Sequence, residues 1–532
     1  MRLRSIRAAG GAAIVASSVL AAGLVVSCVG DSSLPPGGLG EDAGALDATT
    51  APDGNVTTTD SGAQADAADG SVVGPWTKAF TSNTALGSVV TDSVTGDVYV
   101  GGSVRGNAPE LGIVAANGDN NDALLVKLSG ATGAVLWAKA WGGGGDDAIA
   151  SMQLAGGQLT IVGVTTGTQM SFPSATKGAT LSFPASTSPL GVQSFIARID
   201  ANSGTPSWAF TPDANETVGT AHASRCQASA TASDGLTFVA CFYSGKMFGG
   251  PSAYAPDDGS GFQSVVLKVT SAGSVLGWVK SLSSTNGAAL ISSLLTHGGY
   301  LYASGFVKNN LQDRGDAGAT NVANGSAGNN AFVVRFPETG GSNDVVLWNS
   351  DGTNAVSADG LAVSGADLVV VGRYGGTPVF GVDAGTAAGS SDAFAARIAL
   401  GLGGGISSFA RFSGSSQDGA NAVVVDGTAT PSIWVGGSYV SPDLKIGSST
   451  LPAAAGAQFG GYVAKLGVNG VATSATGYFA PNGSTQVGGL AVDNAHGYLL
   501  TVGTYGGTIT FDDKTASQSA AATAGFVLRR KL

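Results

Sequence analysis

The chain has 532 residues, with 25 Lys and Arg against 36 Asp and Glu and a formal net charge of −11. No basic stripe with interleaved aromatics interrupts this acidic balance, which excludes a nucleic-acid-binding surface. Removing three N-terminal arginines and eight acids of residues 29–75 leaves 22 basic against 28 acidic residues, a mild net of −6 for residues 76–532.

Met1–Ser27 reads as a secretory signal, with Arg2, Arg4 and Arg7 preceding an apolar stretch from Ala8 to Val26. Its end, Leu24-Val25-Val26-Ser27-Cys28, resembles a bacterial lipobox, which implies lipidation of Cys28 as the mature N-terminus. The alternative is a short transmembrane anchor, against which the run is interrupted by Gly10, Gly11 and Gly23. From Cys28 to Pro75 the chain is rich in Ala, Gly, Ser, Thr and Asp, with no Lys or Arg. Such a stretch cannot bury enough surface to offset chain entropy and is expected to be an extended acidic linker.

Residues 76–532 repeat. Seven apolar runs carry one basic residue at a fixed place: Asp122–Leu128, Gln193–Ile199, Gln263–Val269, Asn330–Phe336, Asp392–Ile398, Gly460–Leu466 and Ala524–Arg530. Each is the third strand, C, of a four-strand unit A to D. The A–B hairpin of the first unit is Gly87–Gly102, and the B strands end at Gly102, Gly163, Cys241, Gly305, Gly372, Gly437 and Gly503. Glycine at one strand position points to a bulge or a close backbone approach. D strands follow at Trp76–Phe80, Trp137–Trp141, Trp208–Pro212, Trp278–Leu282, Trp348–Gly352, Ser408–Phe412 and Ala475–Phe479, their aromatics expected to pack between units.

The first element is therefore an orphan D strand and the last a C strand. Pairing Trp76–Phe80 with the final A–B–C set removes both exposed edges. The expected fold is all-β, a seven-bladed β-propeller of four-stranded antiparallel blades closed by the N-terminal strand. Its repeated basic residues (Lys127, Arg198, Lys268, Arg335, Arg397, Lys465, Arg529) are expected to be structural, paired in blades one, six and seven with the A-strand acids Asp92, Asp426 and Asp493. Cys226 and Cys241 flank the turn Ala232–Gly235 and are expected opposite each other, as a disulfide or as two buried thiols.

Two resemblances follow from these residues. Gly142–Ala148 (GGGGDDA), the aromatic before it and the C-strand pattern look like the seven-bladed propeller repeats of secreted proteins of myxobacteria and related bacteria, over essentially residues 76–532. That resemblance implies the fold and an envelope or surface location, and no defined catalytic residues. Leu128–Trp137 and Ile199–Trp208 resemble the tryptophan-docking motif of quinoprotein-type propellers, which include quinone-dependent dehydrogenases and an outer-membrane assembly lipoprotein. There a glycine near a tryptophan clamps adjacent blades.

The long connections run between B and C: Arg105–Asn121, Thr166–Val192, Ser244–Phe262, Lys308–Asn329, Gly375–Ser391, Ser441–Phe459 and Gly506–Thr523. Alternating strand direction puts all seven on one face, the expected binding face. Phe172, Phe248, Phe380, Ile446 and Phe511, each next to Gly, Pro or Asp, serve either as a hydrophobic rim or, the preferred reading, as plugs that tuck the loops down. Gly118–Asp122, Asp257-Asp258 and Asp512-Asp513 offer oxygen ligands for calcium without the spacing of a dedicated loop, so solvated turns are preferred and no metal or cofactor is assigned.

No nucleophile elbow, zinc-protease motif or phosphate loop occurs. His297 and His496 sit at expected A–B turns and His222 near the start of an A strand, which separates them. No catalytic residue is assigned. The expected function is a non-catalytic, monomeric envelope lipoprotein of the outer membrane, facing the periplasm or the surface, that binds a protein or polysaccharide through its B–C loops. The alternative is a quinone-dependent oxidoreductase, lyase or hydrolase acting in the central channel.

Overall fold

A computed structural model describes residues 74–532 except 115–119, 174, 176–178, 183–191, 213–222, 233, 245–246, 249–252, 255–261, 285–286, 316–317, 324–327, 341–344, 351–354, 402–404, 453–457, 512–513 and 518–521. The signal, Cys28, the linker and His222 lie outside the described residues, as do Asp257, Asp258, Asp512 and Asp513.

Seven antiparallel sheets, each ordered A-B-C-D, surround one axis. Blade 1 comprises Thr84–Thr91, Val98–Arg105, Asn121–Leu128 and Val135–Trp141. Blade 2 comprises Asp147–Ala155, Gln158–Thr165, Gln193–Asp200 and Pro206–Phe210. Blade 3 comprises Ala223–Thr231, Thr237–Ser244, Gln263–Val269 and Val275–Ser284. Blade 4 comprises Ala289–His297, Tyr300–Lys308, Asn329–Pro337 and Val345–Asn349. Blade 5 comprises Val356–Ser364, Asp367–Tyr374, Asp392–Ala399 and Ile406–Ser413. Blade 6 comprises Asp418–Val425, Ile433–Tyr439, Gly460–Leu466 and Ala472–Tyr478. Blade 7 comprises Thr485–Asp493, Tyr498–Tyr505 and Ala524–Lys531, completed by Trp76–Ala79 from the other end of the folded region. In that closing pair Trp76 faces Arg529 and Ala79 faces Phe526, as the strand count requires. Every A strand packs against the A strands of both neighbours, so the ring is complete.

The core is a set of interblade layers built from both faces of the B and C strands, which explains why those strands are apolar on both sides. The B-strand glycines are required by close approach. A Cβ on Gly102 or Gly305 would run into the A-strand carbonyl of Ala85 or Leu290. Blade 3 has Cys241 at this position, directly opposite Cys226, and the two are joined as a disulfide.

The tryptophan clamps are real packing devices. Trp76 donates from Nε1 to Gly130 O at 2.8 Å, and its ring lies over Gly133, the left-handed glycine (φ 69°) of the next blade's C–D turn. Trp208 repeats this with Ser271 O (2.9 Å) and Gly273 (φ 72°). Blade 5 has Ser408 at the tryptophan position, and Gly470 packs against it, so the glycine persists where the ring is gone.

The B–C connections, expected to be loops, hold five short hairpins among the described residues. Two of these add to the preceding blade: Leu311 pairs with Ser284 and Lys445 with Ser413. A two- to six-residue strand is too short to show an alternation of its own in the sequence. The loop apolar residues are plugs: Phe172, Phe380, Ile446 and Phe511 are buried, and Phe172 and Phe380 stack on Trp141 and Trp348 of the preceding blade. The Phe248 side chain is outside the described residues.

Candidate binding site at the propeller axis

The repeated basic residues lie at the end of the blades opposite the B–C connections, and among the described residues six of the seven make a local polar or ring contact. Lys127 pairs with Asp97 at 3.0 Å, Arg397 with Asp367 at 2.7 Å and Arg529 with Asp493 at 3.4 Å. Arg335 lies over Tyr300 and donates to Leu400 O of the next blade, Lys268 donates to Glu338 O, and Lys465 sits over Trp434. Two expected partners are corrected. Asp92 instead caps its own turn through Val94 N, because the acid nearest Lys127 is at the start of strand B. Asp426 accepts from Thr428, Ser432 and Trp434 Nε1, leaving the Lys465 ammonium to the indole face. Burial lowers the pKa of Arg198. His297 ends strand A of blade 4, and His496 is held in its A–B turn by Asp493 at 2.8 Å. These histidines face away from the long connections, and they belong to different blades.

The candidate calcium loop Gly118–Asp122 is turned inward where it is described. Asn121 donates from N and Nδ2 to Asp146 Oδ1, and Asp122 is buried at the blade 1–blade 2 contact. Among the described residues no three His, Cys, Asp or Glu side chains are grouped so as to hold a metal ion.

The axis carries a feature that a strand-by-strand reading of the sequence passes over. All seven A strands bulge at the same offset, inserting Gly87, Ala150, Gln227, Ser292, Asp359, Asn421 and Gly488. A bulge re-aims its residue and bends the strand, and five of these seven line a channel of ≈ 260 Å³ between the A strands. The ring is unequal. Blades 3 to 6 contribute an arc of Gln227, Ser292, Asp359 and Asn421, whereas blades 7, 1 and 2 contribute only Gly or Ala. Gln227 Nε2 donates to Ile291 O and Gln153 Nε2 to Ser229 O, each 2.8 Å, so amides stitch neighbouring A strands.

Asp359 is the one carboxylate on this described channel wall. Burial raises its pKa, opposed by the Arg373 charge and by Ser357, whose Oγ donates to Asp359 Oδ2 at 2.9 Å. Arg373 reaches this point because it faces Ser357 across the A–B ladder of blade 5. Asn421 Nδ2 is buried without a hydrogen-bond partner. Both Arg373 and Asn421 flank Gly419, where an added Cβ would sit 3.8 Å from Arg373 Cδ and 3.9 Å from Asn421 Oδ1.

Ser357 and Arg373 also line a second cavity of ≈ 260 Å³, with Phe306, Asn329, Ser391 and Gln417. Its walls are the ends of B strands and the starts of A and C strands, so it lies on the face from which the B–C connections emerge. The two spaces meet through one hydrogen bond: Ser357 and Arg373 line the second cavity, and Asp359, which accepts from Ser357 Oγ, lines the channel. Aligning the seven A strands at their bulges would have exposed Asp359 and Asn421 in the sequence. Nothing comparable marks Arg373, near the end of its B strand, or Gln417, just before the A strand of blade 6.

No family model matches the chain, and no curated protein does. Solved structures of similar fold include the WD40 domain of Pan2 from Neurospora crassa, at 11% identity over 84% of this chain and 90% of that one (TM-score 0.40). The plexin A4 extracellular region is 8% identical over 85% of this chain and 51% of that one (TM-score 0.37). A protein of unknown function from Dyadobacter fermentans DSM 18053 is 11% identical over 70% and 92% (TM-score 0.35).

Proposed function

We propose that the chain is a non-catalytic envelope lipoprotein, tethered through Cys28 and its acidic linker, whose propeller binds a protein or polysaccharide through the B–C face. The observation that carries this reading is the cavity between blades 4, 5 and 6, on the face that also bears every long connection. Rigid strand ends set its walls, and long connections around it supply contact area. The described channel wall has no aromatic and no basic side chain, unlike the cluster a quinone would require. Its single carboxylate, Asp359, is engaged with Ser357 and does not form the acid pair used by glycoside hydrolases.

The test uses immobilised residues 76–532 against separated polysaccharide and protein fractions of the envelope. Retention of one fraction, lost when the B–C face is altered at Gln417→Arg and kept when the opposite face is altered at Lys127→Met, is expected. Turnover of a fraction without retention would overturn the reading. For the tether, Cys28→Ala is expected to release the chain from membranes; unchanged sedimentation with membranes defeats that part.

A further inference from the structure

We infer that the cavity on the B–C face between blades 4, 5 and 6 seats one neutral sugar unit, the end or a branch of a glycan. This deepens the reading of the B–C face as the binding face and rests on it.

Three properties select the ligand. The first is charge. Among the described residues Arg373 is the one charged residue lining the cavity. Its charge is offset by the buried Asp359 behind the wall, which accepts from the lining Ser357 Oγ at 2.9 Å, so the pull on an anion is weakened. A phosphate or carboxylate would have to compete with Asp359, and an ammonium with Arg373. The second is the hydrogen-bond inventory. Asn329, Gln417, Ser357 and Ser391 present amides and hydroxyls around one small space. Amides and hydroxyls both donate and accept, which matches a ligand whose groups are themselves hydroxyls. Phe306 adds one apolar wall, suited to the C–H face of a pyranose ring. The third is size. A space of ≈ 260 Å³ falls just below the about 300–1,000 Å³ of pockets for drug-sized molecules. A protein partner needs a surface of about 800 Å² on each side, not a pit.

The site is built from strand ends, so little ordering is left for binding. Gly419, two residues beyond Gln417, faces Arg373: a Cβ there would touch Arg373 Cδ at 3.8 Å, and a branched side chain would press on Arg373.

The experiment is titration of the full chain in detergent with glucose, galactose, mannose and N-acetylglucosamine, read by saturation-transfer NMR, with glucuronate and inorganic phosphate as charged probes. Binding of at least one neutral sugar is expected, weakened about tenfold by Gln417→Ala, by Arg373→Gln and by Gly419→Val, and unchanged by Lys127→Met at the opposite face. Thermal melts identify any variant that has lost its fold, and Gln417→Ala, which removes only a rim amide, keeps the test decisive if the other two cavity variants unfold. Stronger binding of glucuronate or phosphate overturns the inference, as does sugar binding that ignores all three cavity variants. Absence of binding by every neutral sugar overturns it too, while retention of an envelope fraction by residues 76–532 would leave the broader binding reading standing.

Discussion

Single side chains decide how the connections are fastened, and Glu110 shows how much one can do. It lies in the short 3₁₀ turn Pro109–Leu111 of the blade 1 B–C connection and accepts from Thr81 N (2.9 Å), Ser82 N (2.7 Å) and Ser82 Oγ (2.5 Å). Burial pushes its pKa up, but these hydrogen bonds outweigh it and hold the carboxyl at about 2 instead of 4.5. A depressed acid contributes stability that is full above 4.5 and lost as pH falls through about 2. Glu110→Gln is therefore expected to cost about 2 kcal/mol at pH 7, with the difference from the parent shrinking as pH falls from 4.5 toward 2. Urea melts across that range check it; a pH-independent difference would mean that Glu110 acts through packing instead. The bonded residues, Thr81 and Ser82, directly follow the closing strand, so the loss is felt where the chain ends meet.

At the scale of strands, two interblade contacts stand apart from the other five. The first or second residue of strand C and an early residue of the next strand A correspond at each contact, and they are Asp122 with Asp147 and Asp392 with Asp418 at two of them. Elsewhere the pairs are Gln193 with Ser224, Gln263 with Ala289, Asn330 with Val356, Gly460 with Thr485 and Ala524 with Thr84. Arg411 neutralises Asp392 at 2.6 Å, whereas the matching position beside Asp122 is Ala140. Asp122 and Asp147 each keep a buried oxygen without a partner. Burial raises the Asp147 pKa to about 7, with Asp122 and Asp146 adding to the rise and Thr165 and Gly143 N opposing it. The raised acid favours folding fully below about 3.8 and loses that contribution as pH rises through about 7. Asp147→Asn is expected to be near neutral at pH 4 and to stabilise by on the order of 2–4 kcal/mol at pH 8, read from denaturant melts at both pH values. A variant that destabilises equally at both would refute the uncompensated pair.

These contacts also show what the sequence reveals and why the rest stays hidden. Blade number, closure, the C-strand basic position and the glycine–tryptophan clamps recur at fixed spacing, so they stand out in one chain. The B–C hairpins are too short to carry a period, and Asp97 replaces Asp92 as the partner of Lys127 because sequence places a residue on a strand without saying which side of the A–B turn lies nearer. The B–C-face cavity combines residues that occur once, Arg373 and Gln417, with the bulge residue Asp359 behind its Ser357 wall, and only the folded ring brings them together.

For the whole molecule, the strand Trp76–Ala79 joins two closures in four residues. Its backbone pairs with Ala524–Lys531 and completes blade 7. Its Trp76 ring docks over Gly133 of blade 1, and Arg530 donates to Trp76 O and Thr77 Oγ1 at 3.1 Å. Phe80, just beyond, is 1% exposed, and its carbonyl accepts from Tyr505 Oη at 2.7 Å. Removing these residues leaves a long C strand with an unpaired edge and leaves the blade 7–blade 1 contact without its indole. An open edge of that length is a template for pairing with a second chain. A chain lacking residues 1–80 is therefore expected to lose its single cooperative melt and to associate, whereas one lacking only residues 1–75 melts as the parent does. A synthetic peptide of residues 76–83 supplied in trans is expected to restore the monomer, because the edge it pairs with is otherwise intact. Sedimentation velocity with and without the peptide reads the outcome. A monomeric, cooperatively melting chain without residues 76–80 would show that the interblade layers hold the ring shut by themselves.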